Sequence, residues 1–251
     1  MSVENGVWIM RGLAWDDPYR VRSWRELVDW VDEVGFLPLF ANEIEGFSAE
    51  EHVSPSFWWT GDREQDPWEW REIIARGHEV AYGKFFNKKA GFISLKWLPY
   101  FANCRRDGYD FDALYEEGLA SARSKRVMDV FADGEGGWRD EPVLTTELKR
   151  RAGFGAEGAK NFPGVVTDLQ MRLYLVVADF KRRRNKSGGE YGMPVSILLP
   201  PEALWGYDAV ASAYGEAPEA SAERIAAQIR RHWRNADEAA VRRVIGKGAG
   251  G

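Results

Sequence analysis

Three helix starts are written into this chain, and they limit its fold more than any other feature. In "SWRELVDWVDEVG", Ser23 and Glu26 stand at capping-box spacing, so each side chain can satisfy an orphan amide of the first turn. Trp24, Leu27, Val28, Val31 and Val34 share one face of that helix, and Gly35 ends it. In "DPWEWREII", Asp66 caps, Pro67 suits the first helical position and Glu69 completes the box. In "VVTDLQMRLYLVVADFKRR", Thr167 and Gln170 repeat the spacing. Leu169, Leu173, Val176, Val177 and Phe180 line one face, which predicts a helix running to about Arg183.

Strand signals fill the gaps. "FLPLF" is short and apolar, and Pro38 restricts it to a sheet edge or a turn. "EVAYGKFF" and "AGFISLKW" flank the basic turn Asn87, Lys88, Lys89 and read as a hairpin. "YGMPVSILL" reads as a strand. "DFDALYEEGLASARSKRVMDVFA" predicts helix in two pieces, "TTELKRRAG" a short helix capped by Thr145 or Thr146, and "SAERIAAQIRRHW" a late amphipathic helix. Residues 1–20 show no clear periodicity, and "GKGAGG" reads as a floppy tail.

Residues 142–199 therefore run helix, loop, longer helix, basic glycine-rich turn, strand. That is the order of a winged helix, with the longer helix as groove reader and "KRRRNKSGG" as wing. The expected fold class is α+β, mainly helical, with tandem winged-helix-like subdomains and short β-hairpin wings. The expected divisions are an N-terminal subdomain over 1–125, a second over 126–210, and C-terminal helices with a tail over 211–251.

Twelve tryptophans in 251 residues exceed what a surface can display, so several belong to the core. No apolar run reaches the length of a membrane span, and the opening residues lack a signal-peptide pattern. The single cysteine, Cys104, excludes an internal disulfide and a cysteine-rich zinc site, which suits a cytoplasmic protein. Net charge is −5 but uneven: residues 1–80 carry −10 and residues 81–251 carry +5. That is either clustering on solvated faces or a molecule whose later part faces a polyanion.

Chemical motifs are sparse. "GFGAEG" matches a dinucleotide-binding spacing but follows a helix rather than a strand, so it reads as a helix stop and loop, and no cofactor is expected. His52, His78 and His232 never fall at ligand spacing, so no metal site is expected. The tryptophan-rich stretch holding Trp58, Trp59, Trp68 and Trp70 is either packing or the pocket of a small-molecule or partner-binding protein. The basic residues Lys88, Lys89, Arg172, Lys181, Arg182, Arg183, Arg184 and Lys186 are the candidate DNA contacts, since neutralising phosphates is what such tips do. Gln170 can read an adenine edge or serve its cap.

The stretches "FWWTGDREQDPWEWREII", "AYGKFFNKKAGFISLKWLPYFANCRRDGYDFDA" and "GFGAEGAKNFPGVVTDLQM" resemble the AlkZ-related proteins, a shorter group within the AlkZ/YcaQ-like winged-helix DNA glycosylases. "ELVDWVDEVGFLPL" and "EYGMPVSILLPPEALWG" extend the likeness to roughly residues 20–235. The resemblance implies tandem winged-helix-like subdomains around a concave basic DNA face. In the glycosylases the chemistry is attributed to a Gln-x-Gln or Gln-x-Asp motif after an early helix and glycine. The matching place here is "GFLPLF", where Pro38 and Phe40 fill the two slots. Neither can activate water or stabilise an oxocarbenium ion. The expectation is a DNA-binding protein, recognising damaged DNA, with its catalytic motif lost. The alternative is an active glycosylase with relocated groups, for which Asn42, Glu43 and Glu45 are the catalytic candidates.

Overall fold

The computed structural model describes residues 2–4, 7–185 and 187–246. Its first elements form a small antiparallel hairpin, β1 (Ser2–Glu4) and β2 (Val7–Ile9), in the region without sequence periodicity. Helix α1 (Trp24–Val34) follows with Ser23 Oγ accepting the Glu26 amide, and it buries Leu27, Val28, Val31 and Val34 as the pattern requires.

Next come β3 (Phe36–Pro38), α2 (Ala49–His52), a single 3₁₀ turn (Pro55–Phe57), α3 (Pro67–Gly77), β4 (Val80–Phe86) and β5 (Lys89–Ser94). These strands make one antiparallel sheet in the order β3-β5-β4, so the Pro38 strand is indeed an edge. Asn87 and Lys88 take positive φ in the two-residue hairpin turn. Asp66 caps α3 and also accepts the amides of Trp59 and Gly61. Glu69 does not complete the box, because its carboxylate is bound across the molecule by Arg182.

Then α4 (Leu98–Arg106), α5 (Phe111–Glu116) and α6 (Ala122–Met128) lead to β6 (Val143–Leu144), α7 (Thr145–Arg151), α8 (Phe162–Met171), β7 (Val176–Arg184) and β8 (Glu190–Leu199). The second three-stranded antiparallel sheet has the order β6-β8-β7. Neither threonine caps α7; its N-cap is Leu144, and Thr145 Oγ1 donates to the Ser196 carbonyl instead. The chain closes with α9 (Pro201–Trp205), α10 (Tyr207–Ala211), α11 (Pro218–His232) and α12 (Glu238–Ile245). The described residues make an α+β fold, with helices outweighing the β1–β2 pair and two small three-stranded antiparallel sheets. No helix among the described residues is long and apolar enough to cross a membrane.

One expectation fails clearly. The helix expected to run to Arg183 stops at Met171, and the chain is extended from Val176. Leu173 at φ 63° breaks the helix, and the β-branched pair Val176–Val177 joins the sheet opposite Leu199 and Leu198. Thr167 and Gln170 are therefore interior residues of a helix whose N-cap is Asn161, not a capping box. The basic residues Lys181–Arg184 consequently lie on a strand, and Asn185 Oδ1 just beyond it accepts the amides of Ser187 and Gly189. Lys186, and the tail after Gly246, lie outside the described residues.

The same series of elements occurs twice: α1-β3-α2-α3-β4-β5 and α6-β6-α7-α8-β7-β8, each with its first strand paired to its third. The two units dock reciprocally. Helix α3 of the first packs on β7 of the second, α8 of the second packs on β4 of the first, and β4 lies against β7. One continuous apolar core runs through both. Helix α4 then anchors the C-terminal helices through two buried arginines. Arg105 donates to the carbonyls of Met171, Val244 and Ile245. Arg106 binds Glu202, Tyr214 and the carbonyl of Leu173.

Candidate nucleic-acid interface and the cavity beside Pro38

The segment after β3 is pinned from below by a residue that the sequence does not flag. Glu50 is fully buried, and its two carboxylate oxygens accept the amides of Arg11 (3.0 Å) and Ala41 (2.8 Å). Its own amide donates to Leu39 O. Pro38 and Phe40 thus sit on a rigid strap, with Phe40 stacked on Trp58 at 5.7 Å between ring centroids. They face a cavity of about 190 Å³ that Arg11, Glu43, Lys89 and Arg243 also line.

Of the three catalytic candidates, Asn42 and Glu43 reach that cavity and Glu45 does not. Asn42 is committed to backbone: Nδ2 donates to Phe47 O at 2.7 Å and Oδ1 accepts the Ile44 amide at 2.9 Å. Glu43 is exposed and ion-paired with Arg243 of α12. Glu45 is exposed.

The basic candidates divide into those held by carboxylates and those left to solvent. Arg182 is held: Nη2 lies 2.6 Å from both oxygens of Glu69 and 3.0 Å from Glu72. These bonds keep its guanidinium protonated well above the ordinary arginine range. Arg184 reaches Glu190 at 3.5 Å. Lys88, Lys89, Lys181 and Arg183 are exposed and make no ion pair among the described residues. Arg172 is half-buried just beyond α8 and lines a cleft with Lys88, whose amide donates to Met171 Sδ.

Gln170, expected as a cap or a base reader, is buried and accepts the Lys84 amide at 3.0 Å. Val165, Val166 and Leu169 are also buried, and the side of α8 left to solvent carries Pro163, Gly164, Asp168 and Met171, with no cation to meet a phosphate. The tryptophans divide as well. Trp70 is core, with Nε1 donating to Glu64 O, Trp58 is buried under Phe40, and Trp59 is exposed, so the four do not line one pocket. "GFGAEG" is a loop after α7, as its position after a helix implies.

No curated protein and no solved structure matched this chain. A family model described as "AlkZ related" matches residues 21–246, nearly the whole length, and brings the strap, both sheets and the C-terminal helices into one unit of descent. On that match the chain belongs to the AlkZ-related family.

Proposed function

We propose that this protein binds DNA through the ends of its two hairpins, on a glycosylase-like scaffold that no longer hydrolyses the glycosidic bond. The family supplies the scaffold. The reading of each repeat as a winged helix rests on its order, helix-strand-helix-helix-strand-strand, with the hairpins β4–β5 and β7–β8 as wings. The first repeat ends before residue 125 and the second begins near it, so the division expected there belongs to the same reading.

The observation that carries the proposal is the placement of unpaired cations. Lys88 and Lys89 stand at one wing, Lys181 and Arg183 on the other, with Arg184 and Arg172 beside them. Reading would be by backbone and shape rather than by a helix in the groove, because α8 is docked against β4. The loss of hydrolysis rests on Pro38 and Phe40 in the catalytic slots, on Asn42 being bonded to backbone, and on Glu43 being tied to Arg243.

Fluorescence anisotropy on labelled duplexes, intact and abasic, at low and rising salt tests the binding. Salt-sensitive binding that weakens in the triple variant Lys181→Ala, Arg183→Ala, Arg184→Ala is expected. Absence of binding at low salt would overturn the reading. Base release from an alkylated duplex, abolished by Glu43→Gln, would instead establish the relocated-acid alternative.

A further inference from the structure

Arg71 is a cation enclosed in the protein without a full counter-charge. Its side chain is 5% exposed. The guanidinium carbon lies 3.7 Å from the Trp68 ring centroid and 4.5 Å from that of Phe180, so the group is sandwiched between two aromatic faces. Its ion pair is with Glu72 at 3.5 Å, and Glu72 is held more closely by Arg182, at 3.0 Å. Arg71 Nε is buried and has no hydrogen-bond partner. A buried charged donor left unsatisfied costs several kcal/mol on the order of magnitude of desolvation, so such a group is normally completed by a partner.

Arg71 lines a cavity of about 360 Å³ between the two units, within the size range of small-molecule sites. Phe40, Trp68, Tyr82 and Phe180 make aromatic walls. Gln170 has its amide oxygen on Lys84, which leaves its nitrogen as a donor. Lys84, Lys88 and Lys89 also line the cavity, and no carboxylate does. Four cations, flat apolar walls and no acid describe one ligand chemistry.

We propose that this cavity binds a planar aromatic ring carrying an anionic group, with the ring against Phe40 and Tyr82 and the anion on Arg71 and the lysines. The cavity shares Lys88 and Lys89 with the duplex contacts proposed above, but its test uses small anions without DNA, so the two readings fail separately. Two sources carry this chemistry, aromatic carboxylates and nucleoside monophosphates, and the test separates them.

Isothermal titration of the whole protein would compare 2-naphthoate with 2-naphthalenemethanol, and the four 5′-monophosphates with their nucleosides. At least one anion is expected to bind tenfold or more tightly than its uncharged partner. Whichever arm binds names the source. Arg71→Met, which keeps the volume, should abolish the preference for the anion. If that variant does not fold, Ala90→Trp serves, because it fills the cavity and keeps every polar group. It should reduce the affinity at least tenfold. No binding by either class at millimolar concentration, equal binding of charged and uncharged partners, or full affinity in Ala90→Trp would overturn the proposal.

Discussion

Arg182 on the second hairpin grips Glu69 on α3, Nη2 lying 2.6 Å from both carboxylate oxygens. The most prominent basic stretch in the sequence is thus partly an internal tether between the two repeats. Arg182→Ala should destabilise the protein by about 2 kcal/mol, below a fully buried pair because the arginine side chain is 29% exposed. Denaturant unfolding would show a lower midpoint at unchanged slope. A stability equal to wild type would mean that the tether contributes nothing net.

Gln170 and Lys84 form the reciprocal tie between α8 and β4. Gln170→Ala leaves the Lys84 amide without its partner in a partly buried setting and should cost about 1 kcal/mol. Hydrogen exchange at the Lys84 amide would accelerate selectively. Unchanged exchange there would show that another acceptor replaces the side chain.

Fully buried, Glu50 accepts the Ala41 amide of the Pro38–Ala41 strap and the Arg11 amide of the N-terminal segment. Glu50→Ala orphans both and is expected to cost about 3–5 kcal/mol, read as a fall in melting temperature. Gly91 supports the same strap from β5. A Cβ there would stand 2.7 Å from Leu37 O and 2.4 Å from the Phe86 ring, so Gly91→Ala should part β3 from β5 and lower the yield of folded protein.

His232 accounts for one pH dependence. Burial, reinforced by Arg231, lowers its pKa below the ordinary histidine value. Native His232 therefore stays neutral where the unfolded chain already binds a proton, so unfolding takes up that proton and stability rises with pH. The contribution is complete above an unfolded value of about 6.5 and is lost as pH falls through the depressed folded value. Urea midpoints between pH 7.5 and 5 should decline, and less steeply in His232→Gln. Parallel slopes for the two proteins would assign the decline to other groups.

For DNA, Lys181, Arg183 and Arg184 changed together to Ala should reduce the slope of log affinity against log salt by about 0.9 per lost phosphate contact. Arg182 stays in this variant, so the tether is not confounded with the charge. An unchanged slope would remove the second hairpin from the interface.

Much of the fold was legible where a local signal was strong. Ser23, Asp66 and the Asn87–Lys88 turn each act through bonds a few residues away, so the helix starts and the first hairpin follow from sequence alone. The stretch Leu169–Phe180 was not legible. Its apolar residues satisfy a helical period, and only pairing with Leu198 and Leu199 decides for a strand.

By itself the sequence determined the α+β class, the aromatic core and the family, because composition and short-range spacing carry those. Tertiary structure alone decided which charges are free. Arg182 and Arg71 look alike in the chain, yet one is matched by Glu69 and the other is enclosed by Trp68 and Phe180 with too little counter-charge. Electrostatic partners more than a hundred residues away cannot be read from spacing, since only packing brings them within bonding distance.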